Sequence, residues 1–319
     1  MLLEIGCPCA LLLGYAYAED GALRQVGLAL QHPPTHLFAQ AAATLSVTGA
    51  RADVAYAAAT RYQQAAGLPA AGDVEVELAT PALMGLGSEA LLSLCTVYGL
   101  AWAAGRATDA PALAAALELA PEHALALWAY AQGGALVVEP PAGPGQFVRP
   151  LRRHALAHAD RAAAWAVVLY LPGLLNDAPL TLEAERAAAL HAAAPRLSAE
   201  TGRLLDTDLW PALKRDDLAA FGRALLALHA LNAALLPPLP TTAGDDEVLA
   251  LMAASGAAAW GRALTGHGLF AFVRGAQAAA ELRAALTARL ALGAGRVLVT
   301  IADTDGAREA PRDQRPILT

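Results

Sequence analysis

The most constraining stretch of the chain is Pro81-Ala-Leu-Met-Gly-Leu-Gly-Ser-Glu-Ala-Leu-Leu-Ser-Leu94, which follows the alternating acidic and apolar run Val74-Glu-Val-Glu-Leu78. The alternation predicts a strand, and the apolar residues from Ser88 onward predict a helix. Between them Gly85 and Gly87 carry no Cβ, so the backbone is free to take left-handed angles and turn successive N–H groups toward one point. Ser88 is expected to act as the N-cap of the helix. A glycine turn that opens onto a helix N-terminus builds an anion cradle, because unpaired N–H groups and the helix dipole both favour negative charge. Phosphate is the natural occupant.

A chain of 319 residues is long enough for two domains or one large one. Hydrophobic residues make up 56%, with alanine prominent, and charged residues only 16%, which predicts a folded, helix-rich protein. The net charge of −7 argues against nucleic acid or an anionic membrane as partner, since both select cationic surfaces. A small molecule fits better, and the alanine-rich helices are compatible with a homodimer. Lys214 is the only lysine, so at any site that needs a cation beside phosphates arginine has to substitute. Three cysteines do not make a disulfide framework, and the cytoplasm is the expected compartment. The start, Met-Leu-Leu-Glu-Ile-Gly, has no basic region and reads as a buried strand rather than a signal peptide. No uninterrupted run of about 18 apolar residues predicts a membrane span.

In chain order, residues 2–15 and 24–31 read as neighbouring strands joined by the turn Glu19-Asp-Gly21. Cys7 and Cys9 lack a second pair of soft ligands and read as small buried thiols. Helical spacing covers Arg51 to Gly67 and Ser88 to Trp102, the latter stopped at Gly105. Glu89 has three readings: a Mg²⁺ ligand, the mark of a lost site, or an acid that complements the helix N-terminus from solvent. Residues 111–128 are helical, Gly133 to Val138 is a strand, and Glu139-Pro-Pro-Ala-Gly-Pro-Gly145 breaks regular structure. Units of 1–150 and 151–319 are expected on either side. His154 and His158 share a helical face at i, i+4, but Arg152, Arg153 and Arg161 crowd them, which favours a solvated basic patch over a metal site. Beyond lie the strand Ala164 to Pro172, helices over 182–194, 198–213 and 216–234 with Trp210 and Phe221 in the core, and a helix opened by Asp245-Asp-Glu247. A glycine turn Thr265-Gly-His-Gly268, a strand, a helix over 276–292 and a strand over 296–301 follow.

Pro-x-x-x-Gly-Leu-Gly-Ser resembles the phosphate-binding motif of the GHMP superfamily, which contains galactokinase, homoserine kinase and mevalonate kinase. Gly261-Arg-Ala-Leu-Thr-Gly-His-Gly-Leu-Phe-Ala-Phe-Val273 is similar to that superfamily's third motif, in the expected order. The succession of segments, above all Asp208-Leu-Trp-Pro-Ala-Leu-Lys-Arg-Asp-Asp-Leu-Ala-Ala-Phe-Gly222, looks most like the β-ribofuranosylaminobenzene 5′-phosphate synthase branch. The resemblance implies an α+β, GHMP-kinase-like two-domain fold, with a ribosomal-protein-S5-like mixed N-terminal domain and a C-terminal α/β sandwich of ferredoxin-like type. It implies a phosphate-rich metabolite between Gly85, Leu86, Gly87, Ser88, Glu89 on one side and Arg262, Thr265, Gly266, His267, Gly268 on the other, with Mg²⁺ at Ser88 and Glu89. In the synthase branch the donor is phosphoribosyl pyrophosphate and the acceptor an aminobenzoate or hydroxybenzoate. The alternative is an ATP-dependent small-molecule kinase, and a further one is a GHMP-fold binding protein without catalysis. Members have a glycine- and serine-rich segment, with an aspartate in the kinases, where this chain has Leu119-Ala-Pro-Glu-His-Ala-Leu-Ala126. Glu122 and His123 are its only candidates for acid or base.

Overall fold

A computed structural model describes residues 1–18, 20–156, 163–173, 181–241, 244–290 and 295–313. Two long strands, β1 (Leu2–Tyr17) and β2 (Leu23–Gln40), pair antiparallel around a turn at Gly21, with register shifts between Cys7 and Cys9 and between Leu12 and Gly14. Glu19 of the expected turn lies outside the described residues. Then come β3 (Leu45–Gly49), α1 (Ala52–Ala65), β4 (Gly72–Leu78), α2 (Ser88–Ala103), α3 (Ala110–Ala116), a single 3₁₀ turn (Pro121–His123), α4 (Ala124–Gln132), β5 (Ala135–Val138) and β6 (Arg152–His154). The remainder holds β7 (Trp165–Pro172), α5 (Leu182–Ala193), α6 (Ala199–Arg203), a π turn (Leu204–Leu209), α7 (Trp210–Lys214), α8 (Leu218–Ala233), α9 (Asp245–Ala254), β8 (Ala259–Arg262), β9 (Leu269–Arg274), α10 (Ala276–Arg289), β10 (Gly295–Ile301) and β11 (Arg308–Arg312).

The strands form two sheets. The first runs β11-β1-β2-β4-β3, with β5 on the other stretch of β2 and β6 beyond it. Its pairs are antiparallel except β3 with β4. The second runs β10-β7-β9-β8 and is antiparallel throughout. Helix α2 lies against β1, β2, α1 and α4, and this explains a sequence apolar on nearly every face: Leu91, Leu92, Leu94, Cys95, Val97 and Ala101 are all fully buried. A Cβ on Gly99 would stand 2.6 Å from the Cβ of Ala39, so glycine at that position is what lets α2 approach β2.

The second sheet is joined to α8 by aromatic rings. Trp165 and Phe221 have centroids 4.9 Å apart, and Phe221 and Phe272 5.4 Å, so Trp210 and Phe221 are core residues as their spacing predicted. Asn232 of α8 reaches β1: its Oδ1 accepts from the Tyr15 N–H at 2.7 Å and its Nδ2 donates to the Tyr15 carbonyl at 2.9 Å.

Several expectations are corrected. The single helix expected over 198–213 is α6, a π turn and α7, and the region 111–128 breaks at Glu118, whose φ is 48°. His154 stands in strand β6, so it has no helical face to share, and His158 and Arg161 lie outside the described residues. Cys7, Cys9 and Cys95 are buried free thiols, and burial pushes the Cys9 thiol far up. Among the described residues no helix is long and apolar enough to cross a membrane.

Candidate functional site

The cradle is built by alternation of backbone angle. Leu83, Gly85 and Gly87 take φ of 67°, 74° and 70°, so left-handed residues recur at every second position up to the start of α2. Such alternation curls consecutive N–H groups into a concave nest. The turn is pinned from both sides. Buried Thr80 donates through its hydroxyl to the Pro33 carbonyl at 3.0 Å, and the Ala10 N–H donates to the Leu86 carbonyl at 3.0 Å.

The third-motif turn meets the cradle directly. The His267 N–H donates to the Leu83 carbonyl at 2.7 Å and the Gly268 N–H to the Met84 carbonyl at 3.2 Å. A Cβ on Gly266 would sit 2.2 Å from the Gly85 nitrogen, and one on Gly85 2.7 Å from the Ala263 Cβ. These glycines serve close backbone approach, so the two turns touch at Gly85 and Gly266. An open pocket beside the cradle is lined by Gly85, Gly87, Ser88, Glu89, Glu122, His123 and Thr265, and also by Arg51 and Glu183.

Ser88 is not the N-cap. Gly87 occupies that position, and α2 has no side-chain cap of its own. The capping anion comes from α5 instead: Glu183 Oε1 accepts from the Gly87 N–H at 3.1 Å, and Oε2 from the Ser88 hydroxyl at 3.4 Å. Burial raises the Glu183 carboxyl above its ordinary range, while the amides of Gly87, Leu83 and Ser88 and the charge of Arg51 pull the other way. Arg51 caps α1 in a left-handed conformation, φ 52°, and its Nη1 is buried without a hydrogen-bond partner among the described residues. Sequence reading missed both Arg51 and Glu183. The only available signal was the scarcity of lysine, which required some arginine near the cradle.

Glu122 and His123, in the 3₁₀ turn, line the same pocket. Buried Gln25 fixes that turn, donating to the Glu122 carbonyl at 2.8 Å and accepting from the Leu125 N–H at 2.8 Å. Burial lowers the His123 imidazole below its ordinary value, against the opposing charges of Glu122 and Glu89, so a neutral ring able to accept a proton is favoured. Glu89 is exposed in the first turn of α2, where an acid also complements the helix dipole. Its carboxylate and the Ser88 hydroxyl are hard oxygen donors bordering one pocket, a pair that fits Mg²⁺ arriving with phosphate oxygens. Among the described residues no three His, Cys, Asp or Glu side chains gather into a closed metal site.

Arg262 and His267 stand apart from this pocket. The Arg262 guanidinium pairs with Asp245, which is 0% exposed, at 2.8 Å, and the Arg262 carbonyl is 2.8 Å from His229 Nε2. His267 is 4% exposed, and neither ring nitrogen has a hydrogen-bond partner among the described residues. Burial and the charges of Arg262 and Arg186 lower its pKa, against the opposing charge of Asp245. The expected contact of these two side chains with phosphate is corrected to a buried polar cluster behind the third-motif turn. Leu86 likewise contributes its backbone, its side chain being buried.

No family profile and no curated protein matches the sequence. Solved structures do match over nearly the whole chain. Homoserine kinase from Cytophaga hutchinsonii is 14% identical, with 97% of each chain covered and a TM-score of 0.60. Mevalonate kinase of L. major, in complex with R-mevalonate, is 12% identical over 94% of this chain and 96% of that one, with a TM-score of 0.64. A 4-(cytidine 5′-diphospho)-2C-methyl-D-erythritol kinase is 22% identical over 94% and 98%, with a TM-score of 0.60. The chain therefore has the fold of the GHMP-superfamily kinases. None of the three is a β-ribofuranosylaminobenzene 5′-phosphate synthase.

Proposed function

We propose that this protein is a small-molecule phosphotransferase of GHMP-kinase type, which binds the phosphates of ATP at the cradle of Leu83 to Ser88 and passes one to a small acceptor. The observation that carries the reading is the anion already seated there: a carboxylate takes the Gly87 amide and the Ser88 hydroxyl at the mouth of a buried helix. Preorganised donors of this kind supply most of the catalysis in phosphoryl transfer, where positioning and charge stabilisation dominate. Ser88 and Glu89 would hold Mg²⁺, which supplies neutralisation of the transferring phosphoryl group. Glu122 and His123, which line the same pocket, are the candidates to receive the acceptor's proton.

The geometry offers the synthase reading, with phosphoribosyl pyrophosphate as donor, no observation of its own. A division into units 1–150 and 151–319 belongs to the same proposal. The first sheet draws mainly on one side of it and the second sheet on the other, with β6 and β11 returning to the first. A cytoplasmic site agrees with three free thiols.

The test is transfer of the γ-phosphoryl group of labelled ATP to a panel of small alcohols and phosphorylated alcohols. Turnover by the wild type that falls by 10² to 10⁴ in Glu122→Gln or His123→Gln, the range of general acid–base catalysis, supports the assignment. Turnover indifferent to both substitutions removes them from the mechanism.

A further inference from the structure

Glu183 and Arg51 have no counterpart among the residues expected from sequence, yet both line the pocket beside the cradle. The Glu183 carboxylate takes two donors that a phosphate oxygen would take, the Gly87 amide and the Ser88 hydroxyl, at 3.1 and 3.4 Å. Two anions cannot share those donors. Arg51 lies within electrostatic reach of Glu183 and keeps Nη1 buried without a hydrogen-bond partner among the described residues. A guanidinium with unused donors beside an occupied anion site is arranged to hold a multi-oxygen anion more fully than it holds one carboxylate.

Resting on the phosphotransferase reading, we propose that Glu183 is the resident anion of the cradle, that the ligand's phosphate binds by exchanging with it, and that Arg51 is the cation which then holds that phosphate. Glu183 lies in the first turn of α5, and rotation about its own side-chain bonds withdraws the carboxylate without moving the helix. The pocket also fixes the form of the ligand. Among the described residues Glu89, Glu122 and Glu183 border it against the single guanidinium of Arg51, so a bare polyphosphate meets net repulsion and a Mg²⁺-bound polyphosphate does not. Arg51 thereby fills the place that a chain with one lysine, at position 214, leaves open.

The test is titration of wild type, Glu183→Ala, Glu183→Gln and the double variant Glu183→Ala/Arg51→Met with inorganic tripolyphosphate and Mg²⁺, and separately with ATP and Mg²⁺. The expected result is tripolyphosphate binding at least tenfold tighter in both Glu183 variants than in wild type, with a loss of at least tenfold when Arg51→Met is added. Equal or weaker binding in folded Glu183→Gln overturns the exchange. So does loss of the fold in both single variants, because Glu183 would then be a structural clamp. Tighter tripolyphosphate binding without any gain from the nucleoside of ATP and without transfer leaves the exchange standing and defeats the phosphotransferase reading. ATP turnover whose affinity ignores Glu183 and Arg51 does the reverse.

Discussion

Gly85 and Gly105 share nearly the same backbone angle, φ 74° and 67°, but differ in what surrounds them. A Cβ on Gly85 would press on Ala263 and the Gly266 nitrogen at 2.7 and 2.9 Å, whereas one on Gly105 would meet nothing within 4 Å. Left-handed strain alone costs roughly 1–2 kcal/mol, and overpacking adds about 1–3. Gly105→Ala is therefore expected to lose about 1 kcal/mol in urea denaturation and Gly85→Ala about 2 to 4. Equal losses would contradict the close contact of the two turns. The left-handed turn at Gly85 and Gly87 was legible in sequence because glycine takes such angles without a Cβ penalty. Glu183 was not: it lies 95 residues from the Ser88 it bonds, in a helix whose sequence gives no sign of what its first turn faces. Arg262 and His267 misled for the same reason, since motif position fixed their backbone but not where their side chains point.

Elements were legible where one local pattern decides them. The β1 and β2 pairing follows from two apolar runs and a turn, and α2 from its largely apolar run after Gly87. The strand β11 was not legible: Arg308-Glu-Ala-Pro-Arg312 has no apolar alternation and exists because β1 presents an open edge, where Arg312 Nε also pairs with Glu4 at 2.7 Å. Helix starts depend on their caps, short helices most of all, because nucleation is costly and few hydrogen bonds follow it. Asp109 accepts from the Ala112 N–H at 2.9 Å to start the seven residues of α3, and Asp217 from the Ala220 N–H at 2.9 Å to start α8. Asp109→Ala and Asp217→Ala are each expected to cost about 1 kcal/mol in chemical denaturation. A change below a few tenths in either would show that packing alone sets that helix start.

Across the molecule, four histidines far apart in the chain share one feature. His123, His191, His229 and His267 are all lowered from the ordinary value of 6.5, burial being the first cause in each. A lowered histidine contributes stability above its unfolded value and loses it as pH falls toward the folded one, because the unfolded chain then binds more protons. Melting temperature is expected to fall between pH 7.5 and 5.5, and His267→Leu, which removes one such group, to flatten that slope. Glu183 works in the opposite sense: raised in the folded state, its contribution is full below 4.5 and declines as pH rises through the folded value. A melting temperature that climbs on acidification across this window would reverse the assignment of the histidines.

If the nest ending at Ser88 is a phosphate site for ATP, as proposed, ligand-dependent melting reports it. ATP with Mg²⁺, at 100 times its dissociation constant, should add about 2.7 kcal/mol of stability, and phosphoribosyl pyrophosphate with Mg²⁺ should add no comparable amount. Stabilisation by phosphoribosyl pyrophosphate alone, or by neither compound at millimolar concentration, would contradict it.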